Sequence, residues 1–373
     1  GADVGSSTAS AAGGHDREQR PETAVIRVEG TIRPARLTDR QALTDLSRRV
    51  HAASDAHRRS LGVPAPSAES PRVSLSTLMP SWLPLRAPSV HLVAEMGGEL
   101  VGSCRAIEEP HREDWVITEL DADDGPMAAE IRYDLLDAIV EEGARHAVGR
   151  FHAASADVRE NLALFGQAGF MAYAQEEIWW RPPEPTRGPR SWLRSLVSRD
   201  GHDGRPADEL ELQPAGAPDA WHLFDLWTHA TPPAIARLEG YAAGDWESAA
   251  NEAIVPRSAL NPILHFSQVE GWLLPAEQRL GGFAQHGACR AGPHYLRFLI
   301  RDGSDGARFL RAVLTRVGNE AIAAGIVAPV RTYESAGTRA AQDCGFEAIG
   351  RVTLLVREVR AQIRQPAMVA ATR

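Results

Sequence analysis

The chain repeats itself at a fixed offset of 180 residues, and this repeat limits its possible folds more than any other feature. Residues 32–46 align without gaps with residues 212–226, and each segment has the pattern of a strand, a turn and a helix that begins near an aspartate. The sequence therefore predicts a duplicated unit. The identical pairs are Pro34/Pro214, Ala35/Ala215, Asp39/Asp219, Leu43/Leu223, Asp45/Asp225 and Leu46/Leu226.

Two further matches follow in the same order along the chain. Residues 100–102 match residues 280–282 at the same offset, and residues 168–170 match residues 344–346 at an offset of 176. A chain of 373 residues is also longer than one ordinary domain, which has roughly 100–200 residues. We therefore predict two similar domains in tandem, with superposable helices that begin near Asp39 and Asp219.

The domain boundaries follow from composition. Small polar residues without periodicity at the start predict a disordered tail, and proline and glycine between the two copies predict a linker. An apolar island at 192–197 inside the linker is typical of a short helix on a domain surface. The predicted segments are a tail at 1–23, a first domain at 24–181, a linker at 182–206 and a second domain at 207–373.

Each copy has the same coarse order of strand, one or two helices, several strands, helix, strand, helix and strand. In the first copy, Ile131, Leu135 and Ile139 fall on one helical face, and the pair Gly97-Gly98 marks a hairpin turn. This order predicts an α/β fold in which each domain has a central mixed, mostly antiparallel sheet flanked by helices. Two independent domains would also have two separate sheets.

Charge and composition argue against several classes of partner. A net charge of −9 with a pI near 5.8 argues against nucleic acid, and no window approaches the roughly 18 apolar residues of a membrane span. Three widely spaced cysteines and the spacing of the histidines predict neither a disulfide framework nor a metal site. We expect a cytoplasmic protein. Every basic residue is arginine, so anionic ligands would be held by arginine, backbone amides and helix N-termini.

The closing part of each copy resembles the GNAT superfamily of acyl-CoA N-acyltransferases, whose members often carry Asn, then Tyr, then Gly-Phe around the last helix. In the first copy Asn161, Phe165 and the pair Gly169-Phe170 take these places, with Phe where Tyr is usual. In the second copy Ala341 takes the Tyr place before Gly345-Phe346. The resemblance implies two GNAT-like domains, and the two substitutions imply that neither copy has the family's usual helix-borne acid.

The family's other signature is Gln/Arg-x-x-Gly-x-Gly/Ala, a loop whose backbone amides hold the CoA pyrophosphate at the start of a helix. The second copy resembles it at 301–307, with Ser in the first Gly place. In the first copy, counting back from the helix pattern places Glu130 and Arg132 where glycines belong. The resemblance therefore implies that the second domain binds CoA. The predicted cofactor-binding residues are Arg301, Gly303, Ser304, Asp305, Gly306 and Ala307.

Direct acyl transfer needs a base for the ammonium proton and an acid for the leaving thiolate. By resemblance to the family, Glu119 is the predicted catalytic residue in the first domain, and His152 or Ser155 could face the same cleft. In the second domain the predicted catalytic residues are Tyr333 and Glu334.

Three functions fit these features. The first is an N-acyltransferase, more specifically an N-acetyltransferase, that moves an acetyl group from the co-substrate acetyl-CoA to the amine of a small molecule or peptide. The alternative is a catalytically inactive CoA-binding or scaffold protein with a duplicated GNAT fold, which the missing Tyr favours. A binding protein that takes no CoA is the third, because both phosphate loops depart from the signature.

Overall fold

The computed structural model describes residues 30–52, 61, 89–109, 112–183, 210–250, 253–264, 266–276, 279–289 and 292–359. The predicted tail at 1–23, the apolar island at 192–197 and nearly all of the predicted linker at 182–206 lie outside the described residues.

The first half of the chain supplies six of the described strands. In chain order its elements are β1 (Thr31–Pro34), a 3-10 helix (Leu37–Asp39), α1 (Arg40–Ala52), β2 (Ser89–Met96), β3 (Glu99–Glu108), β4 (Asp114–Ala122), α2 (Ala128–Arg145), β5 (Arg150–Ala156), α3 (Arg159–Gln167) and β6 (Met171–Arg181).

Among the described residues, the second half repeats this order with an added α-helix and an added 3-10 helix after its first α-helix. Its elements are β7 (Gln213–Pro214), a 3-10 helix (Ala217–Asp219), α4 (Ala220–Ala230), α5 (Pro233–Glu239), a 3-10 helix (Ala243–Ala250), β8 (Phe266–Pro275), β9 (Leu280–Cys289), β10 (His294–Ile300), α6 (Gly306–Ala324), β11 (Ile326–Arg331), α7 (Ser335–Asp343) and β12 (Glu347–Glu358).

Strand pairing keeps the 180-residue offset. Pro34 of β1 pairs with Leu92 of β2, and Pro214 of β7 pairs with Trp272 of β8, so both members of the pair shift by 180 residues. The first helices also begin alike. Asp39 Oδ2 accepts a hydrogen bond from the backbone N–H three residues earlier at 2.7 Å, and Asp219 Oδ2 does the same at 2.8 Å. The duplication predicted from the sequence is therefore present in the local structure.

The two halves do not have separate sheets, and that expectation was wrong. Among the described residues, twelve strands form one sheet in the order β1-β2-β3-β4-β5-β12-β6-β11-β10-β9-β8-β7. The closing strands are exchanged: β12 pairs with β5, β6 pairs with β11, and β6 and β12 pair with each other, all antiparallel. An exchanged strand forms the same kind of ladder as a native one, so the sequence pattern is the same for both arrangements.

Helices lie against the sheet and bury its apolar side chains. Leu135 and Ile139 of α2 are fully buried in the first half, as are Phe309 and Val313 of α6 in the second. One hydrophobic cluster contains residues of both halves, including Phe151 and Tyr295. The exchange therefore joins the two halves through a shared core as well as through hydrogen bonds.

Candidate active site

In each half, two neighbouring parallel strands pair briefly and then separate. Strands β4 and β5 pair over four residues and part after Ile117 and Ala153. Strands β10 and β11 pair only at their first two residues and part after Tyr295 and Val327. Separated parallel strands leave a gap in the sheet that a ligand can enter. In each half a helix follows the first strand of the pair along the chain, α2 after β4 and α6 after β10.

A β-bulge opens the gap of the first half. Arg105 of β3 pairs with Glu119 and Ala106 pairs with Ile117, so Thr118 is an extra residue in β4. A bulge bends its strand and increases the local twist. This one follows directly after the last residue that β4 pairs with β5, and β4 therefore turns away from β5 at that point.

The gap of the first half contains a small cavity that is open to solvent. Strands β4 and β5 form one wall, and a segment of the second half at 257–263 forms the other. The exchanged strand β12 also contributes a side chain. The lining residues are Leu61, Val116, Ile117, Thr118, His152, Ala153, Ala154, Tyr173, Arg257, Ser258, Ala259, Pro262, Ile263 and Leu354.

His152 and Tyr173 are two polar side chains of this cavity. The His152 Nε2 atom lies 3.6 Å from Asp114 Oδ2, and burial together with nearby Arg257 lowers the pKa of His152 to about 3 despite that carboxylate. The Tyr173 hydroxyl donates a hydrogen bond to Glu239 Oε1 at 3.4 Å, and burial raises the pKa of Tyr173 well above its usual value. Both side chains are therefore uncharged at neutral pH.

Arg257 comes from the second half and is 4% exposed. Its Nε and Nη2 atoms donate to the two carboxylate oxygens of Glu109 at 2.8 and 2.7 Å. Its Nη1 atom has no hydrogen-bond partner within the part of the chain that the structure describes. One buried donor therefore remains in the cavity wall for a ligand.

Glu119, the predicted base, follows directly after the cavity-lining Thr118. One carboxylate oxygen accepts a hydrogen bond from Ser103 Oγ at 2.6 Å and lies 3.6 Å from His91 Nε2. Burial acts to raise the pKa of Glu119, but His91, Arg105 and Ser103 outweigh it and hold the pKa well below its usual range. Glu119 is therefore ionised beside the cavity at neutral pH.

Tyr333 and Glu334, the catalytic residues predicted for the second half, lie elsewhere. They follow β11, which β5, β12 and β6 separate from β4, so they belong to a different cleft from Glu119. Glu334 is buried and accepts from Arg297 Nη1 at 2.9 Å and from Nη2 at 2.5 Å. Burial, with the charges of Glu239 and Glu334, raises the pKa of Tyr333.

Arg297 stands where the first half has Glu119. Glu119 pairs with Arg105 across β3 and β4, and Arg297 pairs with Gln285, the residue 180 positions after Arg105. A guanidinium accepts no proton at physiological pH. The second half therefore has a cation at the position of the base.

The predicted loop at 301–307 precedes α6. The Arg301 side chain donates to Leu280 O and to Asp225 Oδ2, both at 2.9 Å, so its charge is already paired. Gly303 has a φ of +87°, with open space around it. Asp305 caps the helix, because its Oδ1 accepts from Arg308 N at 3.0 Å. A phosphate at this helix start would compete with the Asp305 carboxylate.

The corresponding helix of the first half begins without a side-chain cap. Helix α2 starts at Ala128, so Glu130 and Arg132, which were compared with the signature's glycines, lie inside the helix. Glu130 is exposed in the first turn, and Arg132 is buried and donates to Asn161 Oδ1 at 3.3 Å.

In the closing helices α3 and α7, the residues compared with the family's Tyr are buried in the core. Phe165 is fully buried and contacts Phe170 edge to face, with ring centroids 5.2 Å apart, and Ala341 is fully buried as well. Ser155, which could have faced the cleft, accepts from Asn161 Nδ2 at 3.0 Å. Tyr173 was not predicted from the sequence. The one sequence feature that could have indicated it is its position three residues after the Gly169-Phe170 pair.

Solved structures with a similar fold are named as GNAT, or GCN5-related N-acetyltransferase, proteins. A tandem GNAT protein from the clavulanic acid biosynthesis pathway is 14% identical, with a TM-score of 0.51, and the likeness covers 88% of this chain and 98% of that one. A GCN5-related N-acetyltransferase from Sphaerobacter thermophilus is 13% identical, with a TM-score of 0.51 and coverage of 89% and 96%. No protein-family model and no curated protein sequence matches the chain. The chain therefore has the fold of a tandem GNAT protein.

No helix among the described residues combines the length and apolar character needed to cross a membrane.

Proposed function

We propose that this protein is an N-acyltransferase that moves an acyl group, specifically acetyl, from acyl-CoA to an amine, and that the reaction takes place in the first half. The observation that carries the proposal is the gap between β4 and β5, with its cavity and the ionised Glu119 beside it. The fold likeness supports this reading, because a structure of the same arrangement is named as an N-acetyltransferase.

The chain's own residues match the proton movements of this reaction. When bound, acyl-CoA supplies a thioester carbonyl to the amine nitrogen, and its C–S bond breaks to release a thiolate. The ionised Glu119 attracts the acceptor ammonium and takes its proton directly or through one water. The Tyr173 phenol, which stays protonated, can donate a hydrogen bond to the departing sulfur, and the released thiolate takes its proton from water. Tyr173 would then supply the hydroxyl donor that Phe165 and Ala341 lack.

The donor's pyrophosphate has two candidate sites. The loop at 301–307 is the one predicted from the sequence, and it stays a prediction. The start of α2 has no side-chain cap, and α2 follows β4, one of the two strands that border the gap. Because thioester and amine must meet in one cleft, we place the donor at the start of α2.

A matched pair of variants separates the two sites. Ala129 and Ala307 are the second residues of α2 and α6, and a carboxylate at either position stabilises a helix start. Ala129→Glu should weaken acetyl-CoA binding several-fold by repelling phosphate, whereas Ala307→Glu should leave it unchanged. Calorimetric titration measures both. The reverse result would move the donor site to the predicted loop at 301–307.

A transfer assay separates the three functions. Acetyl-CoA is mixed with the protein and a panel of amines, and both the free thiol and the acetylated amine are measured. Equal amounts of the two products, and their loss in Tyr173→Phe, support the proposal. Binding of acetyl-CoA without any transfer would support the scaffold function, and no binding would support a protein that takes no CoA.

A further inference from the structure

The second half forms the wall of the first half's cavity, and that wall is fixed in place. The Val255 N–H donates to Gln285 Oε1 of β9 at 2.9 Å, and the Ala259 N–H donates to Glu176 Oε2 of β6 at 2.7 Å. The Ser258 hydroxyl lies 2.7 Å from the Tyr295 hydroxyl. The segment is thus held by both halves and presents Arg257 at a defined position.

Arg257 offers a hydrogen-bond donor in a cavity whose lining is partly apolar. Glu109 holds the guanidinium through two nitrogens, which leaves Nη1 as the buried donor without a described partner. Leaving such a donor unpaired is costly, so a ligand that offers an oxygen there gains affinity and one that does not loses it. The apolar lining includes Val116, Ile117, Ile263 and Leu354.

The charge around this donor decides which oxygen fits. Arg257 and Arg112 form ion pairs with three carboxylates, those of Glu109, Asp114 and Asp245. Behind them the fully buried Arg331 lies between Glu176 and Glu239. Carboxylates outnumber arginines in both groups, so a further buried anion is disfavoured and an uncharged oxygen is favoured.

We propose that the acceptor is an α-amino amide, such as the first residue of a peptide with an aliphatic side chain. Its carbonyl oxygen accepts from Arg257 Nη1, its side chain contacts the apolar lining, and its amine lies toward Glu119. This inference rests on the proposed acyl transfer and narrows its acceptor.

Three amines of similar size test the proposal. L-Leucinamide has the carbonyl, isopentylamine lacks it, and L-leucine carries a carboxylate instead. With acetyl-CoA as donor, kcat/KM is expressed per concentration of unprotonated amine, because the three amines differ in pKa. The value for L-leucinamide should then exceed that for each of the other two by roughly ten-fold or more, which is typical of a hydrogen bond to a charged group. Equal values for L-leucinamide and isopentylamine would overturn the inference while leaving acyl transfer intact. Acylation of none of the three would overturn this inference, whereas the wider amine panel tests the reaction itself.

Variants of Arg257 complete the test. Arg257→Met should lower kcat/KM for L-leucinamide roughly ten-fold more than kcat/KM for isopentylamine, so that the preference for L-leucinamide is lost. The double variant Glu109→Gln/Arg257→Met avoids an unpaired carboxylate and should give the same result if the single variant folds poorly. Glu109→Gln alone keeps the donor and should keep the preference for L-leucinamide. A preference that survives the loss of Arg257 would refute the assignment.

Discussion

The two halves began as copies, yet their gaps now contain different groups. The first half has a cavity, a bulge at Thr118 and the ionised Glu119. The second half has Arg297 at the position equivalent to Glu119, and Glu334 neutralises it. A Cβ on Gly306 would also lie only 3.3 Å from the Ala340 Cβ, so α6 and α7 approach closely at the helix start.

This difference shows how a duplicated fold can divide its roles. Because β6 and β12 are exchanged, neither half has a complete sheet of its own. The second half could then fill its own gap with ion pairs and supply Arg257 and Leu354 to the cavity of the first. In the proposed reaction, one half carries the chemistry and the other shapes the site.

The first prediction has the largest expected effect and compares Glu119 with Glu334. Glu119→Gln keeps an oxygen for the Ser103 hydroxyl but cannot take a proton, so the transfer rate should fall roughly 10²- to 10⁴-fold. The pKa of Glu119 lies well below its usual range. A rise of rate between about pH 6 and 9 would therefore report the acceptor amine and should persist in the variant. Steady-state kinetics across that pH range measure both effects.

Glu334→Gln is the control for that comparison. It leaves the buried Arg297 without its carboxylate, so it should lower the free energy of unfolding. The rate per folded molecule should stay within a few-fold of the starting protein. A larger rate loss in Glu334→Gln than in Glu119→Gln would move the reaction to the second half.

The second prediction concerns the ion pairs that join the halves. Arg331 is fully buried, 2.7 Å from Glu176 Oε1 of the first half and 2.8 Å from Glu239 Oε1 of the second. Arg331→Met leaves two buried carboxylates unpaired and should cost about 3–5 kcal/mol. Arg49→Met removes an exposed partner of Asp123 and should cost at most about 1 kcal/mol. Urea denaturation measures both, and equal losses would contradict a buried junction.

The third prediction is a loss of stability in mild acid. Burial lowers the pKa of His152 to about 3 and that of His286 to about 4, both from 6.5. Below about pH 6.5 these two histidines bind protons in the unfolded chain but not in the folded chain. The free energy of unfolding therefore falls as pH falls toward 3–4. Between pH 6.5 and 5 the loss should be about 2 kcal/mol for each histidine.

Glutamine variants test each histidine separately. His152→Gln and His286→Gln should each flatten the pH dependence of the unfolding free energy between about pH 5 and 7, and the double variant should flatten it further. Denaturation curves at several pH values supply the measurement. An unchanged slope in both single variants would show that these two side chains are charged, or accessible to water, in the folded protein.

The sequence predicted the duplication, because a repeat preserves local signals that do not depend on the partner half. The aspartate caps of α1 and α4 and the pairings of Pro34 and Pro214 follow the 180-residue offset. The exchange of β6 and β12 could not be predicted, since each strand would have the same sequence pattern if it paired within its own half.

For the candidate site, the sequence pointed to His152, which lines the cavity, and to Glu119, which follows the lining Thr118, but it did not point to the residues that depend on contacts between halves. Arg257 binds Glu109, which is 148 residues away, and no local motif marks that pairing. Tyr173 reaches the cavity from β6, beyond the inserted β12, and its hydroxyl contacts Glu239 of the second half. The roles of Arg301 and Asp305 in local structure could not be predicted either, because the same residue types occur in a phosphate-binding loop and in a turn capped by its own side chain.

The last prediction has the smallest effect and compares the two matched caps. Asp219 Oδ2 accepts from Gly216 N, and Asp219→Ala should cost about 1 kcal/mol of unfolding free energy. Asp39 accepts from Arg36 N and also from Arg33 at 2.6 and 3.0 Å, so Asp39→Ala should cost more, about 2 kcal/mol.

The pH dependence of that difference identifies its source. The hydrogen bond from Arg33 lowers the pKa of Asp39 below its ordinary value of 3.8. Asp39 therefore contributes stability that is present above about pH 4 and is lost as pH falls through its lower folded pKa. The difference in unfolding free energy between Asp39→Ala and Asp219→Ala should disappear in strong acid. The double variant Arg33→Met/Asp39→Ala should show how much of that difference depends on Arg33. Thermal or urea unfolding measures these differences, and an Asp39→Ala cost equal to that of Asp219→Ala at neutral pH would mean that Arg33 adds nothing to the older, shared cap.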